Sequence, residues 1–237
     1  MAYRLGIDIG GTFTDLVLLG DDGEALSVKV PSTPDDYSRS IAGALADGLQ
    51  AAALSGADVG EVIHGTTVAT NIVLERKGAH TGLMTTRGFA DVLEIGRQMR
   101  TNIYELELDP ETPVFLAPGA RRVEIDERIA ADGVIIEPLQ EDSVRTAVRA
   151  LVDEGVTSIA VCLLFSFLNP IHERRVREII EQEKPGITVS LSCEVDPAFR
   201  EYERTVVTAF DAYIKPVLGE YLARLTKELL CAGVSAP

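Results

Sequence analysis

The sequence predicts an α/β fold: a three-strand antiparallel meander joined to parallel strands with flanking helices, then a second small α/β stretch. Three observations carry this. β-branched alternating runs crowd the first thirty residues around two turn signals. Apolar residues at helical spacing then alternate with short strand-like runs. No repeat or low-complexity segment interrupts the pattern.

Element by element, strands are expected at Arg4 to Ile9, Asp15 to Leu19 and Ala25 to Val30, joined by Gly10-Gly11 and Asp21-Asp22-Gly23. Asp35 to Leu54 places Ile41, Ala44, Leu45 and Leu49 on one helical face, after start signals at Ser32, Thr33 and Pro34. Val59 to His64 reads as a strand, Val68 to Lys77 as a helix stopped by Gly78, and His80 to Thr85 as a strand. Together these predict a βαβ unit with a right-handed crossover and a parallel pair. A short helix over Gly88 to Gly96 and a long irregular loop from Arg97 to Gly119, marked by Pro110, Pro113 and Pro118, follow.

A hairpin is then expected from Arg121 to Ile129 and Val134 to Ile136 around Ala131-Asp132-Gly133. Val144, Ala147, Val148, Leu151 and Val152 make a helical face, Val156 to Phe165 a strand, Glu173 to Glu183 a helix and Ile187 to Cys193 a strand. Arg204 to Leu230 reads as two helices or one kinked at Pro216. The expected organisation is a lobe over 1–120, its α/β continuation over 121–200, and an interdomain helical segment over 201–237.

Composition bounds the function. With 237 residues, 46% hydrophobic and 25% charged, the chain can bury a core, which excludes disorder, a collagen repeat and a disulfide miniprotein. The net charge is 22 − 37 = −15, so no positive field gathers a nucleic-acid strand, although a local cradle of N–H groups and a cation can still bind a nucleotide. Cys162, Cys193 and Cys231 form no CxxC pair and read as reduced thiols, with Cys162 in the core. The most apolar stretch, around Ser158 to Leu168, falls short of the roughly 20 residues that span a bilayer. No export signal is visible at the N-terminus, so a cytoplasmic location is expected.

Two segments carry chemistry. In GIDIGGTFTD (6–15) a two-glycine turn joins two strands. Glycines at a hairpin tip let backbone N–H groups approach a phosphate, Thr12 and Thr14 add hydroxyls, and Asp8 at the strand end can hold Mg2+ through water. A plain Gly-Gly hairpin with a surface Asp accounts for the same residues. In HGTTVATN (64–71) a strand runs into a hydroxyl-rich helix N-terminus, a place for anions, or simply a helix capped by Thr66 or Thr67 beside a strand-end His64.

The first segment resembles the leading phosphate loop of the actin, sugar-kinase and heat-shock-protein ATPase superfamily, a ribonuclease-H-like lobe. Together with HGTTVATNIVLERKGA (64–79), GFADVLEIGR (88–97) and EYERT (201–205), it resembles the N-terminal part of the hydantoinase A and 5-oxoprolinase family over nearly the whole chain. The resemblance implies an ATP- and Mg2+-dependent hydrolase that phosphorylates the oxygen of a small cyclic amide before ring opening. A ketone carboxylase subunit and a non-catalytic binding or assembly module are the alternatives.

Carried onto this sequence, the resemblance gives Asp8 the metal-water role and Gly10, Gly11, Thr12 and Thr14 the phosphate. It places His64, Thr66, Thr67 and Asn71 near the substrate or γ-phosphate, and Arg97 and Arg100 where charge develops, although loop arginines are ordinarily only solvated. His64, Thr66 and Arg97 are thus expected to be catalytic with Asp8, and Thr67 and Asn71 to bind the cofactor. Family members continue into a second lobe with the adenosine site, so a fragment or separately encoded lobe is expected, inactive alone and working with a second lobe, partner subunit or homo- or hetero-oligomer.

Overall fold

The computed structural model describes residues 3–33, 37–99, 104, 112–113 and 115–235. Two compact units emerge, 1–77 with 217–237 and 78–216. The sequence reading put its boundaries at 120/121 and 200/201 instead.

The first unit begins with β1 (Tyr3–Ile9), β2 (Phe13–Gly20) and β3 (Ala25–Pro31), the expected antiparallel meander, with β4 (Val59–Thr66) parallel to β1. Sheet order is β3-β2-β1-β4. Alternation decides which face is buried: Leu5, Ile7, Ile9, Leu16 and Leu18 turn inward, where the helix α1 (Tyr37–Ala51) contributes Ile41, Ala44, Leu45 and Leu49. A methyl on Gly48 would lie 3.0 Å from Leu16 Cδ2, so this glycine lets α1 approach the sheet closely. After β4 comes α2 (Val68–Leu74), which stops short of the expected Lys77.

The second unit holds a parallel sheet in the order β10-β9-β5-β6, built from β5 (Thr81–Thr86), β6 (Arg122–Ile125), β9 (Ser158–Cys162) and β10 (Thr188–Leu191). A two-strand hairpin, β7 (Arg128–Ile129) with β8 (Ile135–Glu137), lies beside the chain path. The helices are α3 (Val92–Ile95), α4 (Glu141–Asp153), α5 (Ile171–Glu183), α6 (Ser192–Val195) and α7 (Glu201–Cys231), whose residues from 217 onward belong to the first unit. Val144, Val148 and Leu151 of α4 and Val176, Ile179 and Ile180 of α5 pack with Met84, Ile159 and Val161 of the sheet.

Three expectations need correction. The anticipated β4–α2–β5 crossover does not form a parallel pair, because β5 joins the other sheet. β5 is buried at all six positions and needs cover on both faces, whereas β4 is largely exposed. The expected strand Arg121 to Ile129 is two strands, broken where Glu127 turns its carboxylate inward to Thr86 and His172. The strand expected to run to Phe165 ends at Cys162, since Leu163 and Leu164 give their N–H groups to side chains rather than to a neighbouring strand. Of the two alternatives for Arg204 to Leu230, the single helix is found, Glu201–Cys231 with Pro216 inside it. Among the described residues no helix is long and apolar enough to cross a membrane.

Candidate functional site

In the first unit β1 and β2 turn through Gly10-Gly11-Thr12. Gly10 N–H donates to the Phe13 carbonyl at 3.0 Å, closing the hairpin. Neither glycine has a positive φ, so chain reversal alone does not demand glycine at either position. What the glycines leave is room: a methyl on Gly11 would meet only Asn71 Nδ2, at 4.0 Å. Among the described residues no hydrogen-bond partner is found for the Gly11 and Thr12 N–H groups or the Thr12 hydroxyl.

The rest of the turn is held from behind. Ser32 N–H donates to the Thr12 carbonyl at 2.9 Å and Ser32 Oγ to the Gly10 carbonyl at 2.8 Å. Ser32 is bonded in turn to Thr14 Oγ1 at 3.0 Å, and Thr14 to Ser40 Oγ of α1, also at 3.0 Å. Thr14 is fully buried, which corrects its expected phosphate role. Its hydroxyl anchors the loop to α1, because alternation along β2 turns residue 14 to the core face with Leu16 and Leu18.

Asp8 is exposed near the end of β1. Its strand partner is Gly65, where an added methyl would stand 3.4 Å from Asp8 Oδ1, so the glycine keeps that carboxylate uncrowded. Thr66 Oγ1 accepts the Val68 N–H at 3.1 Å, and Thr67 gives both N–H and hydroxyl to the Ile9 carbonyl, each at 3.3 Å. The Thr66 hydroxyl thus joins β4 to the start of α2, and Thr67 ties that start to β1. With seven residues, α2 contributes little dipole of its own.

His64 is enclosed on both nitrogens. Nδ1 donates to the Ile7 carbonyl at 3.2 Å, and Nε2 lies 2.6 Å from the Tyr221 hydroxyl of α7. Burial lowers the imidazole pKa below its ordinary value, against smaller opposing effects of the Ile7 carbonyl and Asp8. Neutral His64 therefore carries its proton on Nδ1 and accepts the Tyr221 O–H at Nε2. Tyr221 gave no sequence signal, since a tyrosine at helical spacing reads as core.

Asp8, Gly10, Gly11, Thr12, His64, Thr66, Thr67 and Asn71 thus all belong to one unit. Arg97 belongs to the other, where Nε and Nη2 pair with Glu203 at 2.8 and 2.7 Å. Arg100 lies outside the described residues. Cys162 is buried and burial pushes its thiol pKa up, as expected of a core cysteine.

The loop fits an anionic phosphate, with two N–H donors, a hydroxyl and open space above Gly11. Asp8 fits a hydrated Mg2+, which keeps several waters and needs only one or two carboxylates. A cluster of three or more acidic, His or Cys ligands is absent among the described residues.

Residues 4–184 match the hydantoinase/oxoprolinase N-terminal region. The chain belongs to the hydantoinase/oxoprolinase family. It is 36% identical over 229 residues to the caprolactamase subunit alpha of Pseudomonas jessenii, covering 94% of this chain and 33% of that one. It is 32% identical to the 5-oxoprolinase of Saccharomyces cerevisiae, covering 95% and 20%.

The fold of this family member matches the crystal structure of ATP-dependent caprolactamase from P. jessenii with a TM-score of 0.88 at 35% identity, covering 99% of this chain and 35% of that one. Nucleotide-free acetone carboxylase gives 0.85 at 30% identity, covering 97% and 34%. The chain spans about one third of the length of these relatives and one fifth of the yeast one.

Proposed function

We propose that this chain supplies the phosphate-binding part of an ATP-dependent enzyme that activates a cyclic amide oxygen by phosphoryl transfer before the ring is opened. The carrying observation is the Gly10–Thr12 turn, whose Gly11 and Thr12 N–H groups have no hydrogen-bond partner among the described residues, at the end of the strand that carries the exposed Asp8. Kinship with a caprolactamase and a 5-oxoprolinase supports the cyclic amide as substrate class. ATP would supply the phosphoryl group that turns a poor electrophile into one with a good leaving group.

The chain's own residues would bind and orient. Gly11 and Thr12 N–H groups and the Thr12 hydroxyl receive phosphate oxygens, and Asp8 accepts hydrogen bonds from the waters of Mg2+. Ser32, Thr14 and Ser40 keep the turn from moving as charge develops, so the donors need little reorganisation. His64, neutral and bonded to Tyr221, acts as a positioning residue for β4 and α7 rather than a free base. Arg97 would neutralise charge only by exchanging its Glu203 partner.

As the relatives named subunit suggest, the working enzyme includes a partner subunit or further lobe. A second reading, a ketone carboxylase subunit, draws on the likeness to acetone carboxylase. The test is ADP release by the complete enzyme. Stimulation by caprolactam, hydantoin or 5-oxoproline supports the first reading. Stimulation only by acetone or acetophenone with bicarbonate replaces it with the second. ADP release indifferent to all of them overturns both.

A further inference from the structure

The second unit contains a cavity of ≈ 450 Å³, within the range of roughly 300–1,000 Å³ typical of small-molecule sites. Its place in the fold is informative. In the order β10-β9-β5-β6, the chain leaves β5 toward β6 on one side and β9 toward β10 on the other. The strand order therefore reverses between β5 and β9, and open parallel sheets bind ligands beyond the carboxyl ends of their strands at such a point. Phe89 follows the end of β5 by three residues and Phe165 follows the end of β9 by three, and both line the cavity.

The wall after β9 is held in an unfavourable conformation by buried groups. Phe165 has φ +54°, a left-handed value that bulky residues rarely adopt. Around it, Leu163 N–H donates to Glu173 Oε1 at 2.8 Å, Leu164 N–H to Thr86 Oγ1 at 3.0 Å, and Arg204 Nη2 to the Leu163 carbonyl at 2.8 Å. Glu173 also accepts the Ser192 hydroxyl at 2.6 Å and the Cys193 N–H at 2.9 Å. Arg200, also in the lining, has φ +83°. Strain that the surroundings enforce at two cavity-lining residues is what a built ligand site shows.

The lining specifies the ligand. Phe89, Phe165, Phe167, Phe199 and Tyr202 present aromatic surface for an apolar body. Two adjacent charges of opposite sign complete it, Arg200 and Glu201, and among the described residues neither side chain has an ion-pair partner. Arg200 lies against the Phe199 ring, 5.3 Å from its centroid, and within electrostatic reach of Glu203 without forming an ion pair with it. Arg97, also in the lining, is committed to Glu203. A simple acid would face Glu201 uncompensated and a simple amine would face Arg200. A zwitterion satisfies both charges while its apolar part fills the aromatic cage.

We propose that this cavity binds an apolar amino acid or similar apolar zwitterion, with the carboxylate on Arg200, the ammonium on Glu201 and the apolar side chain among the phenylalanines. The site belongs wholly to the second unit and is independent of the phosphate-loop reading.

The test is an NMR titration of the 237-residue chain with L-phenylalanine, 3-phenylpropionate, phenethylamine and 3-phenylpropanamide. L-Phenylalanine is expected to shift resonances of residues 88–97, 163–168 and 199–203 and to bind about tenfold more tightly than the other three. Arg200→Gln should weaken L-phenylalanine about tenfold and tighten phenethylamine, which loses a like charge. Glu201→Gln should weaken L-phenylalanine similarly and tighten 3-phenylpropionate for the same reason. Both positions are at the surface, so these variants keep the fold, and Val92→Trp should block every ligand by filling the cavity. The proposal is overturned if no ligand shifts these residues, if the neutral amide binds as tightly as the amino acid, or if the charge variants weaken all four ligands equally.

Discussion

The tip of the first unit's sheet and the carboxyl end of the second unit's sheet solve opposite problems. At the first, Gly10, Gly11, Thr12 and Asp8 are lightly covered, and the chemistry rests on backbone N–H groups that glycine leaves accessible. At the second, Glu127, Glu173, His172, Thr86 and Arg204 are buried, and these side chains from four separate segments hold one loop directly or through one another. The difference teaches where mutations should be felt. Substitutions at the first should alter binding with little change in stability, and substitutions of these buried groups at the second should alter stability first.

The largest expected effect is Glu173→Leu, which strips the acceptor from the Leu163 and Cys193 N–H groups and the Ser192 hydroxyl. A loss of about 3–5 kcal/mol in urea unfolding is expected, because buried donors left without partners bear their full desolvation cost. A loss under about 1 kcal/mol would mean the loop is not held this way.

Thr14→Val should come next, at about 1–2 kcal/mol, since it removes the buried hydroxyl that joins Ser32 to Ser40 behind the turn. Thr12→Val, one strand residue from it but on the exposed turn, should change stability by less than about 0.5 kcal/mol. Equal effects of the two in the same unfolding assay would erase the distinction between anchor and binding face.

Gly11→Val is expected to leave stability within about 0.5 kcal/mol, because φ there is not left-handed and the added atoms enter open space. It should weaken Mg·ATP binding to the complete enzyme more than about tenfold in calorimetry. Unchanged binding would remove the turn from the phosphate site.

The smallest effect concerns His64. Its folded pKa is depressed, so the neutral form favours the folded state. The contribution is full above the unfolded value of about 6.5 and is lost as pH falls from there through the folded pKa. Tyr221→Phe removes the O–H that the neutral ring accepts, and the His64 pKa read from its ring protons should rise toward the ordinary value. A pKa that stays put would show that burial alone sets it.

The same contrast explains what was legible beforehand. GIDIGGTFTD could be read because a hairpin turn, its glycines and its strand-end Asp8 are neighbours in sequence, and period-two alternation fixes which face each residue takes. The pattern also contained the answer for Thr14, two positions before Leu16 and four before Leu18 on the buried face, but its place inside the motif drew it toward the phosphate. Tyr221, 157 residues from His64, carried no local sign of its role. Nor did Glu127, His172, Glu173 and Arg204, since buried charges are spaced by tertiary contact and not by helical or strand period.

Sequence alone settled the α/β class, the meander, the apolar faces of α1, α4 and α5, the cysteine in the core and the family resemblance, because each is written in short-range periodicity or contiguous motif. Tertiary structure decided which sheet β5 joins, where β9 stops, that Arg97 is paired with Glu203, and that an aromatic cavity opens where the strand order reverses. Those outcomes depend on burying both faces of a strand and on satisfying charged groups removed from water. The residues that meet both demands lie tens of positions apart along the chain.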